Sequence, residues 1–234
     1  RKIVFYSENE SFIKFFSGLI NELTNEFDKN IHYVTSSIND PILKTKNKKI
    51  FPYYIGSGSM RTIFFSLFNS DILILTMPDL NSFHIKRSPH DVKYIFVPHN
   101  ILSIHMVFRK KAFNHYDTFF CAGPHHNKEI EETEKIYSLN KIEILNFGYN
   151  KIDELLEHKN HFKIEPSDKK TLIVSPSWGE NCLLEKYGDT LLSALTKTNF
   201  KVIIRPHPDT IRKFKNHYVE LKDKYKNKFI FEEQ

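Results

Sequence analysis

The sequence predicts an α/β protein of two doubly wound units, each a mainly parallel sheet flanked by helices. Three observations predict it. Apolar, β-branched runs of strand length alternate with segments of helical period along the whole chain. The run Ile72 to Leu75 is apolar on both faces, as central parallel strands are. The stretch 157–170, "EHKNHFKIEPSDKK", is polar and aperiodic, and the alternation restarts after it. Right-handed crossovers then place helices on both faces of each sheet.

The elements follow in chain order. "KIVFYS" (2–7) is a strand. In the helix that follows, Phe12, Phe15, Phe16, Leu19, Ile20 and Leu23 share one face, and Phe27 closes the pattern. "IHYVTSS" (31–37) is a strand, "SGSMRTIFFSLFNS" (57–70) an amphipathic helix and "DILILTMP" (71–78) the two-sided apolar strand. "VKYIFVPH" (92–99) and "DTFFCAG" (117–123) are further strands, and "PHHNKEIEETEKIY" (124–137) opens with a proline suited to a first helical turn. "KIEILNFGY" (141–149) is a short strand that closes the first unit. The second unit reads strand 171–178, helix 188–198, strand 200–208, helix 211–228 and strand 229–234. This gives a first domain over 1–156, a linker over 157–170 and a second domain from 171 to 234. That second domain is expected to be incomplete, with more strands and helices beyond residue 234.

Composition narrows the function classes. With 234 residues, 40% apolar and 26% charged, the chain has the makeup of a globular protein with a substantial core. No apolar run approaches the roughly 20 residues of a membrane span, and the N-terminus lacks the pattern of a signal peptide. Two cysteines, Cys121 and Cys182, do not make a disulfide framework or a cysteine-rich zinc site, so a reducing cytoplasm is expected. The net charge is +6, but clusters such as "KTKNKK" (44–49) and "KDKYKNK" (222–228) read first as solvated faces. Attraction to a membrane surface or a phosphorylated substrate is the other reading. Long basic tracts with interleaved aromatics are missing, so nucleic acid is not an expected partner.

In doubly wound sheets ligands bind at the carboxyl ends of the strands. Five of the twelve histidines fall within 97–126: His99, His105, His115, His125 and His126. His99 and His207 lie just past their strands, each beside proline, rather than inside an apolar run. At "SPSWGEN" (175–181), Ser175, Ser177, Trp178 and Gly179 join a strand to a helix, where small residues let backbone amides approach an anion. A plain turn with Trp178 packed on the core is the alternative. In "RPHPDT", Arg205 and His207 at i and i+2 fall on one side of an extended chain, a guanidinium and an imidazole suited to a diphosphate. No metal site is expected: His125 and His126 are adjacent and should point apart, and neither His-Glu-x-x-His nor Asp-x-Asp occurs.

Together, the segments 99–126, 175–188 ("SPSWGENCLLEKYG") and 202–208 ("VIIRPHP") resemble the CDP-glycerol:poly(glycerophosphate) glycerophosphotransferases, which build teichoic acid and related capsule polymers. The resemblance implies a GT-B fold of two Rossmann-like domains and no cofactor. It implies His99 as the base for the acceptor hydroxyl, although the family's His-Gly reads His99-Asn100 here and His105 is a rival. It implies Arg205 and His207 at the donor phosphates, His207 being the second essential histidine, with Ser175, Ser177, Trp178 and Gly179 beside them. Beside that resemblance, His105, His115 and His125 are expected to position acceptor or phosphate groups, with a structural or solvent-facing role as the other reading; His105, Arg109 and His125 are placed on the acceptor side, and His126 is expected to be exposed. Arg109, Lys110 and Lys111, near Met106 and Phe108, read as a solvated face or as a surface for an anionic, membrane-linked acceptor.

The implied partners are CDP-glycerol or another nucleotide-activated donor and a lipid-linked polymer acceptor, met at the inner face of the cell membrane. Two alternatives remain. One is a GT-B glycosyltransferase using a sugar nucleotide for capsule or lipopolysaccharide. The other is a non-catalytic domain that binds phosphate or nucleotide.

Overall fold

The computed structural model describes residues 2–83, 85–159 and 168–233. The chain divides into two compact units, residues 1–162 and 163–234. Unit one carries seven strands: β1 (Ile3–Ser7), β2 (Ile31–Thr35), β3 (Ile50–Tyr54), β4 (Ile72–Leu75), β5 (Lys93–Phe96), β6 (Thr118–Cys121) and β7 (Glu143–Asn146). They form one sheet in the order β3-β2-β1-β4-β5-β6-β7, with every pairing parallel. The chain order reverses between β1 and β4, the switch point beside which such sheets open a crevice.

Side chains alternate across this sheet as the strand period requires. Val4 and Tyr6, Leu73 and Leu75, and Tyr94 and Phe96 pack on one face; Phe5, Ile74, Ile95 and Val97 pack on the other. α2 (Ser59–Leu67) and α4 (Pro124–Tyr137) supply Phe65 and Ile130 to the first core. α1 (Ile13–Asn21) supplies Phe16 and Ile20 to the second. Phe16 is fully buried, edge-on to Phe5 at 5.4 Å, and its burial is worth about 1.5–3 kcal/mol.

The expected elements of this unit are present, with four differences. A π-turn over Glu22–Glu26 shifts the end of the first helix, so Thr24 is buried where Phe27 was expected and Phe27 is 59% exposed. β3 was not expected, because Pro52 interrupts its pattern; it occupies the sheet edge, where proline is tolerated. A short helix, α3 (Ile104–Val107), stands inside the histidine-rich strip with Ser103 as its N-cap. Finally, α5 (Asn150–Lys159) runs three residues into the expected linker; residues 160–167 of that stretch lie outside the described residues. α5 lies close to α1 because Gly18 has no side chain: a Cβ there would be 1.9 Å from Asn150 Oδ1.

Unit two carries β8 (Thr171–Val174), β9 (Lys201–Ile204) and β10 (Ile230–Phe231), parallel and in the order β10-β9-β8. α6 (Leu183–Leu195) and α8 (Lys215–Tyr225) cover one face through Leu184, Leu192, Leu221 and Tyr225. On the other face Ile173, Ile203 and Ile230 stand in register, with Ile173 50% and Ile230 45% exposed. α6 starts five residues before the expected Gly188. That glycine is internal because a Cβ would lie 2.6 Å from Leu221 Cδ1. The last expected helix is broken at Phe214, with α7 (Pro208–Lys213) preceding α8. Among the described residues no helix is long and apolar enough to cross a membrane.

Candidate functional site

His99 sits just past β5, in the loop beside the end of β4. Its Nδ1 is 3.1 Å from the Thr76 carbonyl oxygen. A carbonyl only accepts, so Nδ1 carries the proton and the neutral ring presents an acceptor lone pair at Nε2. Phe12, Phe15 and Phe108 surround the ring at centroid distances of 5.6, 6.1 and 5.7 Å. Burial among them pulls the His99 pKa below the ordinary histidine value, while the Thr76 bond acts in the opposite direction. Tyr149 Oη donates to the His99 carbonyl at 3.0 Å and fixes the loop. Phe12 and Phe15 read from sequence as plain core positions of a helix; their contact with a histidine far along the chain has no local signal.

The other histidines of the strip do not join this site. His126 was expected to be exposed and is instead 0% exposed: Nδ1 accepts from the Ala122 amide at 3.2 Å and Nε2 meets the Leu102 carbonyl at 2.9 Å. Burial lowers its pKa. His125 reaches the neighbouring Ile101 carbonyl at 3.0 Å, and the two rings lie 4.3 Å apart. The expectation that adjacent rings diverge fails because both histidines, in the first turn of α4, reach the same loop, Ile101–Leu102, ahead of α3. His105 Nε2 meets Thr133 Oγ1 at 3.0 Å, and that hydroxyl donates onward to the Glu129 carbonyl, so His105 is held to α4. His115 precedes β6, at the amino ends of the strands and away from the expected crevice. Arg109 pairs through Nε with Asp79 and lies over Phe83 at 4.9 Å. A pocket of about 220 Å³ lined by His105, Arg109, Lys111 and Tyr137 adjoins the strip. Phe108 lines it and also stands edge-on to His99.

In unit two, Ser175 to Gly179 form the irregular connection from β8 toward α6, and Gly179 takes a φ of +134°, a backbone state that favours glycine. Trp178 is not in the core. Its ring lies 6.1 Å from that of His207, and Lys213 Nζ stands 3.7 Å from its centroid. His207 caps α7, its Nδ1 accepting from the Asp209 amide at 3.1 Å. An amide only donates, so the neutral ring carries its proton on Nε2. Arg205 is held by a carboxylate: its Nε and Nη2 both bond Glu232 Oε2, at 2.9 and 2.6 Å, next to β10. Lys213 and Glu232 were missed, since neither belongs to a motif. Among the described residues no group of three or more His, Cys, Asp or Glu could hold a metal ion.

Seven parallel strands in this order, followed by a second parallel sheet, match known architectures. A UDP-GlcNAc 2-epimerase from Methanocaldococcus jannaschii, in complex with UDP-GlcNAc and UDP, superposes with a TM-score of 0.65 at 13% identity. The match covers 100% of this chain and 73% of that one. The fold is GT-B-like. The lipopolysaccharide outer core galactosyltransferase WaaB in its apo form gives a TM-score of 0.49 at 15% identity, over 100% of this chain and 68% of that one. No family model and no curated protein matches the sequence.

Proposed function

We propose that this chain belongs to an enzyme that transfers a nucleotide-activated group to a hydroxyl, in its broad form a sugar-nucleotide glycosyltransferase. The observation that carries the reading is His99: a neutral imidazole past the carboxyl end of β5, with Nδ1–H tied to Thr76 and Nε2 without a protein partner among the described residues. Nε2 takes the proton of the acceptor hydroxyl, whose oxygen attacks the anomeric carbon of the donor. The bond from that carbon to the diphosphate breaks, and the nucleoside diphosphate leaves. In unit two, His207 carries its proton on Nε2 and supplies an N–H donor suited to a phosphate. That the structurally similar epimerase holds UDP-GlcNAc and UDP supports a donor of this class. A lipid-linked acceptor at the inner face of the cell membrane is supported by the exposed Met106 (88%) and Leu102, which precede the Arg109–Lys111 cluster in the sequence.

A narrower reading, transfer of glycerol phosphate from CDP-glycerol, is favoured by the segments 99–126, 175–188 and 202–208. There the acceptor oxygen attacks phosphorus and CMP leaves. The full-length protein, incubated with a lipid-linked acceptor and a panel of sugar nucleotides and CDP-alcohols, tests both. A mass gain of one sugar on the acceptor supports the broad form, and one glycerol phosphate supports the narrow form. No gain from any donor, with donor still bound, overturns transfer in favour of a binding domain.

A further inference from the structure

The cation that the sequence offers for the donor phosphates, Arg205, is occupied. Glu232 takes two of its N–H groups, so the pair contributes little net charge to the carboxyl ends of β8 and β9. The positive charge of this loop cluster comes from elsewhere. Asp209 is shared by Arg212 at 2.5 Å and Lys213 at 3.5 Å, so two cations face one carboxylate. Lys213 Nζ rests 3.7 Å above the Trp178 ring, and the His207 ring flanks the same indole. His207 directs its Nδ1 inward to the Asp209 amide, which leaves Nε2–H to donate. The β8–α6 connection and the two ends of α7 thus gather an ammonium, a neutral N–H donor and a flat aromatic surface.

We propose that Lys213, seated on Trp178 beside His207, is the binding cation of a diphosphate site in unit two. This rests on the reading of that unit as the holder of the donor. A half-exposed cation–π contact is weak beside a charge-assisted bond to phosphate, so a diphosphate draws the ammonium off the indole. His207 then donates to the same anion. Trp178 is the one tryptophan of these 234 residues, and subtracting the emission of a Trp178→Phe variant isolates the signal that reports the movement of Lys213.

The test titrates the full-length protein with inorganic pyrophosphate, inorganic phosphate and the nucleoside diphosphates UDP and CDP. Trp178 fluorescence is read together with calorimetry, which gives affinity independently of the indole. Pyrophosphate is expected to change the emission saturably. Lys213→Gln should weaken it about tenfold or more, Lys213→Arg should restore it to within about threefold, and Arg205→Gln should cost less than about threefold. Tighter UDP or CDP than pyrophosphate identifies a nucleotide as the source, and equal binding identifies the bare diphosphate; both support the site. Unchanged affinity in Lys213→Gln, a larger loss in Arg205→Gln, or no pyrophosphate binding by the unaltered protein overturns it. Acceptor transfer measured on the same preparations separates the two claims. Transfer with Lys213 irrelevant to binding sinks only this assignment; Lys213-dependent binding without transfer sinks only the enzyme.

Discussion

His99 and His207 are held in opposite tautomers: the Thr76 carbonyl places the His99 proton on Nδ1, and the Asp209 amide places the His207 proton on Nε2. One ring therefore offers a lone pair at Nε2 and the other an N–H, which suits a base and an anion donor respectively. In the full-length protein, His99→Ala should lower kcat by about 10²–10⁴-fold and leave donor affinity within about threefold. Initial rates with donor-binding calorimetry check this. Lost donor affinity with intact turnover would reverse the two roles.

The pH profile follows from the same burial. His99 acts as a base only when neutral, and its pKa is lowered by burial among Phe12, Phe15 and Phe108. The acid limb of kcat/KM should therefore lie below about pH 6.5, with a plateau through neutrality. Phe108→Ala admits water to the ring and should move the limb upward. A limb above about pH 6.5 in the unaltered protein would assign the base elsewhere.

Much of the fold is legible because period and strand length are local properties. β1, β4 and α4 fall where their apolar patterns put them. The departures arise where a distant partner decides. Gly188 reads as a helix boundary until Leu221 is packed against it, and Phe27 reads as buried until a π-turn rotates the pattern. At the candidate site, the position of His99 past its strand is visible in sequence, but its tautomer depends on a carbonyl 23 residues away. Arg205 shows the converse: its motif is plain, and its salt bridge to Glu232 is not.

His126 should matter for stability rather than turnover. His126→Ala removes the partners of the Ala122 amide and the Leu102 carbonyl, a loss of about 1–3 kcal/mol. Its folded pKa is lowered by burial, so below about pH 6.5 the unfolded chain binds the extra proton and stability falls with pH. Urea unfolding on either side of that pH should show the alanine variant less stable at neutrality and less sensitive to acid. An equal slope in both proteins would assign the acid sensitivity to other groups.

A path of contacts joins Gly18 to His99 within unit one. Asn150 Nδ2 bonds the Lys14 carbonyl and Ser17 Oγ, at 3.2 and 3.0 Å, only because Gly18 leaves room. Tyr149 precedes Asn150 and holds the His99 carbonyl. In Gly18→Ala the new Cβ meets Asn150 Oδ1, and overpacking of this kind costs about 1–3 kcal/mol. The start of α5 must give way and carry Tyr149 with it, so kcat should fall by about tenfold with donor KM unchanged. Asn150→Ala in the Gly18→Ala background removes the clash, and the double variant should be more stable than the sum of the two single losses. Tyr149→Phe provides the control: it should reproduce the fall in kcat without any coupling to position 18 in denaturation. Additive stabilities in the double variant, or full activity in Gly18→Ala, would show that α5 absorbs the methyl group without moving His99.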